Sequence, residues 1–213
     1  SNGQPWQVGI ENPDTSSNEA YIELLNLEDK SLVTSGNYQR FYIVDGKNVT
    51  GGLATVVLYA AEQIENDPQI EVLRLVELLE KVIPKVRFKF VAGNEDFLVA
   101  GGRVNNLTST SEAFTTKHPC IELVNGSVVS TKSYSGKTET IVQELIQDFL
   151  EKYPVCRKQL TVMYSLGLSE SIQHSVNEYL KEKGFEKVIW MEAGAIISTH
   201  TGPGGFGIAG IEQ

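Results

Sequence analysis

The sequence has few cysteines and no long apolar run, and these two shortages exclude whole classes of protein. Its two cysteines, Cys120 and Cys156, are too few for a disulfide framework and lack the spacing of metal ligands. No apolar segment approaches the roughly 20 residues that cross a bilayer, so stable membrane insertion is not expected. The first residues, Ser-Asn-Gly, do not resemble a signal peptide. These features together favour a protein of the reducing cytoplasm.

Basic residues are also scarce relative to acidic ones. The 213 residues include 18 Lys and Arg against 27 Asp and Glu, which gives a formal net charge of −9 at pH 7. A surface that binds nucleic acid needs a basic excess to neutralise phosphates, so a nucleic-acid partner is not expected. With 41% hydrophobic and 21% charged residues, the composition is that of an ordinary globular protein of one or two domains. Small molecules or other proteins are the expected partners.

Residues 1–47 are predicted to form a small antiparallel β unit that precedes a larger lobe, residues 48–213. Alternating and β-branched residues indicate strands over residues 6–10, 21–25, 32–34 and 40–44. Fewer than about 50 residues rarely supply an independent hydrophobic core. We therefore expect this unit to depend on the rest of the chain for its stability.

Helices alternate with strands in the larger lobe, which predicts an α/β fold of mixed α+β character. Apolar residues at helical spacing indicate helices over 53–64, 70–83, 138–153 and 169–183. Apolar runs and alternation indicate strands over 86–90, 160–164 and 187–191, and a hairpin around Asn125-Gly126. The segment 53–64 is almost continuously apolar, so we expect it to be buried on most sides. Arg87 and Lys89 alternate with apolar residues, which predicts a half-buried strand.

The segment Ser198–Gly207 concentrates features that ordinary packing does not require. It follows an apolar run, residues 188–197, which predicts a buried strand that delivers it to a sheet edge. Glycines allow backbone N–H groups to approach a ligand closely, and His200 can change charge near neutral pH. This combination suits an anionic group such as a carboxylate or phosphate. The alternative is a tight connection in which the histidine is only structural.

No set of residues in the sequence indicates catalysis or a resident metal. Of the three histidines, only His200 lies in a glycine-rich setting, whereas His174 is expected to be solvated and His118 structural. Cys120 begins an apolar strand and is predicted to be a core residue. The helical carboxylates have lysine neighbours, as on a solvated face, and no metal-binding motif appears. We therefore assign no catalytic residues and no metal ligands, and we expect a protein that is not an enzyme.

Four motifs in order resemble the DegV family of fatty-acid-binding proteins over residues 48–213. They are Asn48-Val-Thr-Gly-Gly before an apolar helix, Phe97-Leu-Val-Ala-Gly-Gly-Arg103, Lys117-His-Pro-Cys-Ile-Glu-Leu123 and Thr199-His-Thr-Gly-Pro-Gly204. The resemblance implies a two-lobed α/β protein that buries a long acyl chain in a tunnel and holds its carboxylate near the mouth. It also implies that the fatty acid is the only bound ligand, without a cofactor, and that some members present it to a separate kinase.

The resemblance assigns ligand-binding roles to particular residues of this sequence. His200 matches the family's head-group histidine, and Arg103 matches the arginine of its Gly-Gly-Arg motif. Such charge-assisted donors offset the desolvation of a carboxylate. Thr199 and Thr201 are expected to orient the imidazole, and Gly202 and Gly204 to bring the backbone close to the ligand.

The sequence departs from the DegV pattern in two ways. The family has a Lys-x-Arg element after the hairpin, where this chain has only Lys132 and Lys137 as substitutes. The family's N-terminal lobe, which brings a threonine and a serine to the carboxylate, is not recognised. A non-catalytic interaction module with an incomplete lipid site is therefore an alternative function.

Residues 5–47 resemble instead a fragment of the flavin transferases of the ApbE type. The resemblance rests on Pro5-Trp-Gln-Val-Gly-Ile-Glu-Asn-Pro13 and on Ser31-Leu-Val-Thr-Ser-Gly-Asn-Tyr-Gln-Arg-Phe41. It implies, as a second alternative, a flavin transferase-related protein that depends on FAD and magnesium. Ser35-Gly-Asn-Tyr-Gln39 also resembles a DegV element whose serine touches the head group. Thr34 and Ser35 are therefore further candidates for ligand binding, the alternative being an ordinary turn.

Overall fold

The computed structural model describes residues 6–11, 21–27, 44–93, 95–100, 117–124 and 127–213. The chain divides into two compact units, Ser1–Ile43 and Val44–Gln213. In the first unit, β1 (Trp6–Glu11) pairs antiparallel with β2 (Tyr21–Leu27), with Trp6 opposite Leu27. These strands match two of the four that the sequence predicts. The predicted strand over 32–34 and residues 40–43 of the last one lie outside the described residues, and the predicted boundary at residue 47 stays a prediction.

Six helices and six strands make up the described part of the second unit. The helices are α1 (Thr50–Asn66), α2 (Val72–Val82), α3 (Glu95–Ala100), α4 (Thr138–Lys152), α5 (Glu170–Glu182) and α6 (Ala195–Thr201). A short 3-10 turn, Ile83–Lys85, follows α2 and contains Pro84. The strands are β3 (Val86–Val91), β4 (Lys117–Val124), β5 (Ser127–Ser135), β6 (Gln159–Tyr164), β7 (Lys187–Glu192) and β8 (Phe206–Ile211). The mixed α/β class is confirmed.

The six strands form one mixed sheet in the order β5-β4-β3-β8-β6-β7. β4 and β5 are the hairpin that Asn125-Gly126 predicts, and they pair antiparallel. β6 and β7 are parallel and are connected through α5, whereas β8 lies between β3 and β6 and is antiparallel to both. The sheet therefore brings sequence-distant segments side by side.

Each face of the sheet has its own apolar layer. α4 and α5 cover one face, where Leu145, Phe149 and Leu180 pack on Val162 and Ile208 in the main core. Because side chains alternate along a strand, Phe88, Met163 and Ala209 lie on the other face and pack with Ile197 of α6. α1 also contacts this second face, where the Thr55 and Thr161 hydroxyls are 3.0 Å apart.

Two burial predictions are wrong. α1 is not buried on most sides, because it packs on the sheet through a single stripe of mostly small residues. Leu53 and Val57, which lie off that stripe, are 43% and 60% exposed. The second error is Lys89, predicted to face solvent but 4% exposed. Its strand lies inside the sheet with α1 and α4 packed against it, and a buried Glu122 balances the charge.

The first turn of α5 is stabilised by a side-chain cap. Ser169 precedes the helix, and its hydroxyl accepts a hydrogen bond from the Ile172 N–H. We expect Ser169→Ala to lower the free energy of unfolding by about 1 kcal/mol, because a backbone donor loses its partner. Chemical denaturation should show this loss. Ser175→Ala, an exposed change within the same helix, should leave the stability unchanged or slightly higher, since alanine favours helix.

Among the helices that the structure describes, none combines the length and the hydropathy that a membrane span requires.

Candidate functional site

The motif Ser198–Gly207 begins on a helix rather than at the end of a strand. β7 ends at Glu192, and α6 carries Ser198, Thr199, His200 and Thr201 before Gly202 ends it. The strand predicted over 187–191 is confirmed, but the expectation that a buried strand delivers the motif is wrong, because β7 is only half-buried and the chain turns at Gly194 into α6. The Ser198 hydroxyl donates to the Ala193 carbonyl, which links α6 to the residue before Gly194. His200 thus reaches the site from the last turn of a short helix.

Ser165 fastens the glycine loop that follows α6. Its hydroxyl donates to the Gly202 carbonyl at 2.5 Å and accepts from the Gly205 N–H at 2.8 Å. Its own N–H donates to the Gly205 carbonyl at 2.9 Å, and the residue is buried. A single serine at the end of β6 therefore links both ends of the loop to the sheet.

The predicted ligand-binding glycines, Gly202 and Gly204, shape this loop and use their backbone donors within the protein. The Gly202 N–H donates to the Ser198 carbonyl and the Gly204 N–H to the Leu166 carbonyl. Gly202 has φ +70°, and a Cβ there would lie 2.8 Å from the Phe97 ring, so no other residue fits without strain. These two glycines therefore support the loop directly.

Gly93, after β3, makes the closest approach to the loop. Its N–H donates to the Thr201 carbonyl at 2.8 Å. A Cβ on Gly93 would lie 1.7 Å from the Pro203 carbonyl oxygen, which is backbone and has no room to move aside. The positions of α6 and the loop thus depend on a glycine at residue 93.

An apolar cavity of about 240 Å³ opens beside this loop. Its apolar wall comes from β3, α3, β4, β6 and α6, and includes Phe88, Phe90, Leu98, Ile121, Met163 and Ile197. His200 and Thr201, at the end of α6, border the same cavity. The space thus combines a hydrocarbon-like wall with the polar end of α6.

His200 is the polar group of this cavity whose bonding is incomplete. Its Nδ1 is buried and has no hydrogen-bond partner among the described residues. A buried donor or acceptor without a partner costs about 1–3 kcal/mol, so this atom is suited to a ligand. The Thr201 hydroxyl is buried and has only a long bond of 3.3 Å to the Gly202 carbonyl. Both side chains can therefore bond a polar group in the cavity.

The remaining predicted site residues do not join this arrangement. The Thr199 side chain is exposed, and its hydroxyl donates to the Ala195 carbonyl rather than orienting the imidazole. Arg103, Thr34 and Ser35 lie outside the described residues. Lys132, a possible replacement for the family's basic element, forms an ion pair with Asp148.

The reverse face of the same strands carries a buried ionic cluster centred on Glu122. The Glu122 carboxylate lies 3.2 Å from the Lys89 ammonium and 2.7 Å from the Lys152 ammonium. It also accepts hydrogen bonds from the hydroxyls of Thr131 and Tyr153. Burial alone would raise the pKa of Glu122, but these four partners outweigh burial and hold it at about 2. The cluster thus fixes β3 to β4 behind the cavity wall.

The other residues that the sequence analysis considered have ordinary roles. His118 Nδ1 lies 2.9 Å from the Ala92 carbonyl, which fits a structural histidine, and His174 is exposed. Cys120 is fully buried, as predicted for the core. Among the described residues, no group of three or more His, Cys, Asp or Glu side chains is placed to hold a metal ion.

Sequence reasoning missed Ser165 and Glu122. Ser165 follows a predicted strand and precedes Leu166-Gly167, so the sequence could have indicated that it lies in a turn. The sequence could not have indicated its hydrogen-bond partners near residue 204, because they are distant along the chain. Glu122 was part of a matched motif, and its position inside an apolar strand was the available signal of a buried carboxylate.

Comparison with known proteins identifies the family to which this chain belongs. The family model described as an uncharacterised protein of the DegV family matches residues 28–213. A fatty acid-binding protein of Thermotoga maritima is 29% identical over 183 residues, covering 81% of this chain and 60% of that protein. A DegV domain-containing protein of Deinococcus radiodurans is 25% identical over 172 residues, which cover 80% of this chain and 59% of that protein. The chain thus spans about 60% of the length of these curated relatives.

Solved structures show the same fold. A DegV lipid-binding protein of Thermotoga maritima superposes with a TM-score of 0.63 at 25% identity, over 81% of this chain and 60% of that one. The fatty acid kinase B3 protein of Streptococcus pneumoniae, loaded with linoleic acid, gives a TM-score of 0.69 at 15% identity, over 82% of this chain and 60% of that one. The DegV match begins at residue 28 and so includes residues 28–47, and the resemblance of residues 5–47 to flavin transferases is not supported. The chain belongs to the DegV family.

Proposed function

We propose that this chain binds a long-chain fatty acid, with the acyl chain against the apolar cavity wall and the carboxylate at His200 and Thr201. The observation that carries the proposal is the unpartnered, buried Nδ1 of His200 beside a cavity whose wall is mostly apolar. An apolar wall alone would suit any hydrophobic guest. A polar group with unused bonding capacity at its edge selects an amphiphile.

The energetics of the two ends of such a ligand agree with this arrangement. Each methylene removed from water contributes about 0.8 kcal/mol, so even part of an acyl chain gives substantial affinity. A carboxylate taken from water needs donors in return, and hydrogen bonds to charged groups contribute about 1.5–3 kcal/mol. Arg103 remains part of this proposal as a second charge-assisted donor, as the family motif implies, and Thr34 and Ser35 remain candidate hydroxyls.

The relatives support the proposal and extend it to a partner. The Thermotoga maritima relative is named a fatty acid-binding protein, and the Streptococcus pneumoniae structure holds linoleic acid. The latter is named a fatty acid kinase B3 protein, which supports a kinase as the partner that receives the ligand. We therefore propose a cytoplasmic carrier that sequesters and presents a fatty acid without itself catalysing a reaction or requiring a cofactor.

The substitution His200→Ala tests the assignment of the carboxylate site. We expect it to weaken fatty-acid binding by at least about tenfold, since one charge-assisted bond is lost. The thermal midpoint should barely change, because His200 is half-buried and lacks a partner among the described residues. Titration with palmitate, together with native mass spectrometry of protein purified from cells, measures both occupancy and affinity.

His174→Ala is the matched control, because His174 is exposed on α5 and does not border the cavity. It should retain the wild-type affinity for palmitate. Absence of any palmitate binding by the wild-type chain would refute the proposed function. Unchanged affinity of the His200 variant would refute the carboxylate assignment, and an unfolded variant would show that His200 is structural.

A further inference from the structure

A second, polar cavity lies between α4 and α5, on the face of the sheet opposite to the apolar cavity. Its volume is about 390 Å³, and its lining is Gln147, Leu150, Glu151, Arg157, Tyr179 and Lys183. α4 and α5 pack on the main core, whereas Phe88 and Met163 border the apolar cavity on the reverse face. The two cavities are therefore separate, so a ligand of the polar cavity can bind whether or not a fatty acid occupies the apolar one.

Arg157 lines this cavity and carries a buried, unused donor. Its Nη1 is buried and has no hydrogen-bond partner among the residues that the structure describes. The guanidinium lies over the Phe185 ring, 4.5 Å from its centroid. The Arg157 carbonyl accepts from the Glu186 N–H, which holds the main chain in place. Stacking on an aromatic face fixes the plane of the guanidinium and leaves its edge free for an oxyanion.

Two further donors in the cavity are also free. Within the described part of the chain, neither the Lys183 ammonium nor the Tyr179 hydroxyl has a hydrogen-bond or ion-pair partner. Lys183 instead lies 5.2 Å from the centroid of the Tyr179 ring, which keeps its charge at the cavity. Glu151 is the acidic residue of the lining, and its carboxylate already accepts from the Gln147 amide at 2.8 Å. Donors thus outnumber acceptors in a protein whose net charge is −9.

We propose that this cavity binds a small phosphate-bearing ligand through Arg157 and Lys183. A guanidinium pairs with two oxygens of a phosphate at once, while the ammonium acts as a second point charge. Three donor groups can be satisfied together by the several oxygens of a phosphate, more fully than by the two oxygens of a carboxylate. The cavity exceeds the size of the phosphate group, and Leu150 provides an apolar side for the rest of a phosphomonoester.

Calorimetric titration of the whole chain in phosphate-free buffer tests the proposal, with inorganic phosphate, glycerol phosphate and acetate as separate probes. We expect both phosphate probes to bind and acetate to bind at least about tenfold more weakly. Tighter binding of glycerol phosphate identifies a phosphomonoester as the ligand class, and equal binding identifies free phosphate. Absence of binding by both phosphate probes, or acetate binding equal to theirs, overturns the proposal.

Four variants place the ligand in this cavity. Arg157→Gln and Arg157→Lys should both weaken phosphate binding at least about tenfold, because neither retains the planar fork. Lys183→Gln should weaken it severalfold, whereas Lys181→Gln, an equal change of charge two residues earlier and outside the cavity, should not. Equal effects of the two lysine variants would show non-specific attraction and overturn the proposal.

Glu151→Gln tests whether the cavity binds a ligand or instead holds an internal ion pair between Glu151 and Arg157. If the cavity is open to an anion, removal of this charge should tighten phosphate binding. If Glu151 turns to Arg157 in solution, the variant instead loses stability and gains no affinity. That result would overturn the proposal.

Discussion

Gly93→Ala is expected to abolish fatty-acid binding and to lower the free energy of unfolding by roughly 3 kcal/mol. A Cβ at this position would lie 1.7 Å from the Pro203 carbonyl oxygen and 2.9 Å from the Gly205 nitrogen. Both are backbone atoms, so rotation of a side chain cannot relieve the overlap. The loop would have to move, and with it the hydrogen bond from the Gly93 N–H to the Thr201 carbonyl. Chemical denaturation and palmitate titration measure the two effects.

Gly194→Ala provides the control for this change. Gly194 precedes α6 with φ −62°, and a Cβ there meets nothing within 4 Å. Its stability should remain within about 1 kcal/mol of the wild type, because a weaker helix cap is offset by a less flexible unfolded chain. If Gly93→Ala is as stable and binds as well as this control, the close packing of residue 93 on the loop is disproved.

Glu122→Gln is the second change with a large expected effect, a loss of about 3–5 kcal/mol near neutral pH. The amide keeps the shape of the side chain but leaves the Lys89 ammonium, 5% exposed, without its counter-charge. Glu77→Gln is the matched control, since the Arg74–Glu77 pair is more than half exposed and should contribute less than about 1 kcal/mol. Equal stability of the two variants would contradict the buried cluster.

The same cluster predicts how the free energy of unfolding depends on pH. The pKa of Glu122 is lowered from 4.5 to about 2 on folding, so the unfolded chain takes up the proton first. The stabilisation, about 3 kcal/mol by linkage, is complete above pH 4.5 and is lost as the pH falls towards 2. The stability difference between the wild type and Glu122→Gln should therefore shrink over this interval. A difference that stays constant between pH 5 and pH 2.5 would show that the carboxylate is not paired.

Most of the fold could be predicted from sequence because periodicity reflects packing directly. The helix over 138–153, the strand over 160–164 and the hairpin at Asn125-Gly126 all occur within a few residues of their predicted limits. The burial of side chains was harder to predict, because an unbroken apolar segment does not show how many sides of a helix are packed against the rest of the protein. Lys89 was mispredicted in the opposite direction, because the alternation of its strand suggests an exposed side chain. The charge that permits its burial comes from Glu122 on the partner strand, 33 residues away in the sequence.

The candidate site was predictable in its residues but not in its construction. His200 and Thr201 were identified from the motif, and the structure places both at the apolar cavity. The sequence could not indicate that Ser165 and Gly93 hold the loop, because both lie far from it along the chain. It also suggested that Gly202 and Gly204 offer free N–H groups, whereas the loop uses those groups itself. Local patterns therefore identify candidate ligand contacts better than the residues that support them.

The central position of β8 has a consequence for the order of folding. β8 joins the β5-β4-β3 group to the β6-β7 pair, and its partner β3 is separated from it by most of the second unit. Closing so long a loop is entropically costly and slows folding. The cavity draws its walls from both groups, so it forms only when β8 is inserted. Under the proposed function, a nascent or partly unfolded chain therefore cannot bind a fatty acid, and a bound ligand indicates that folding is complete.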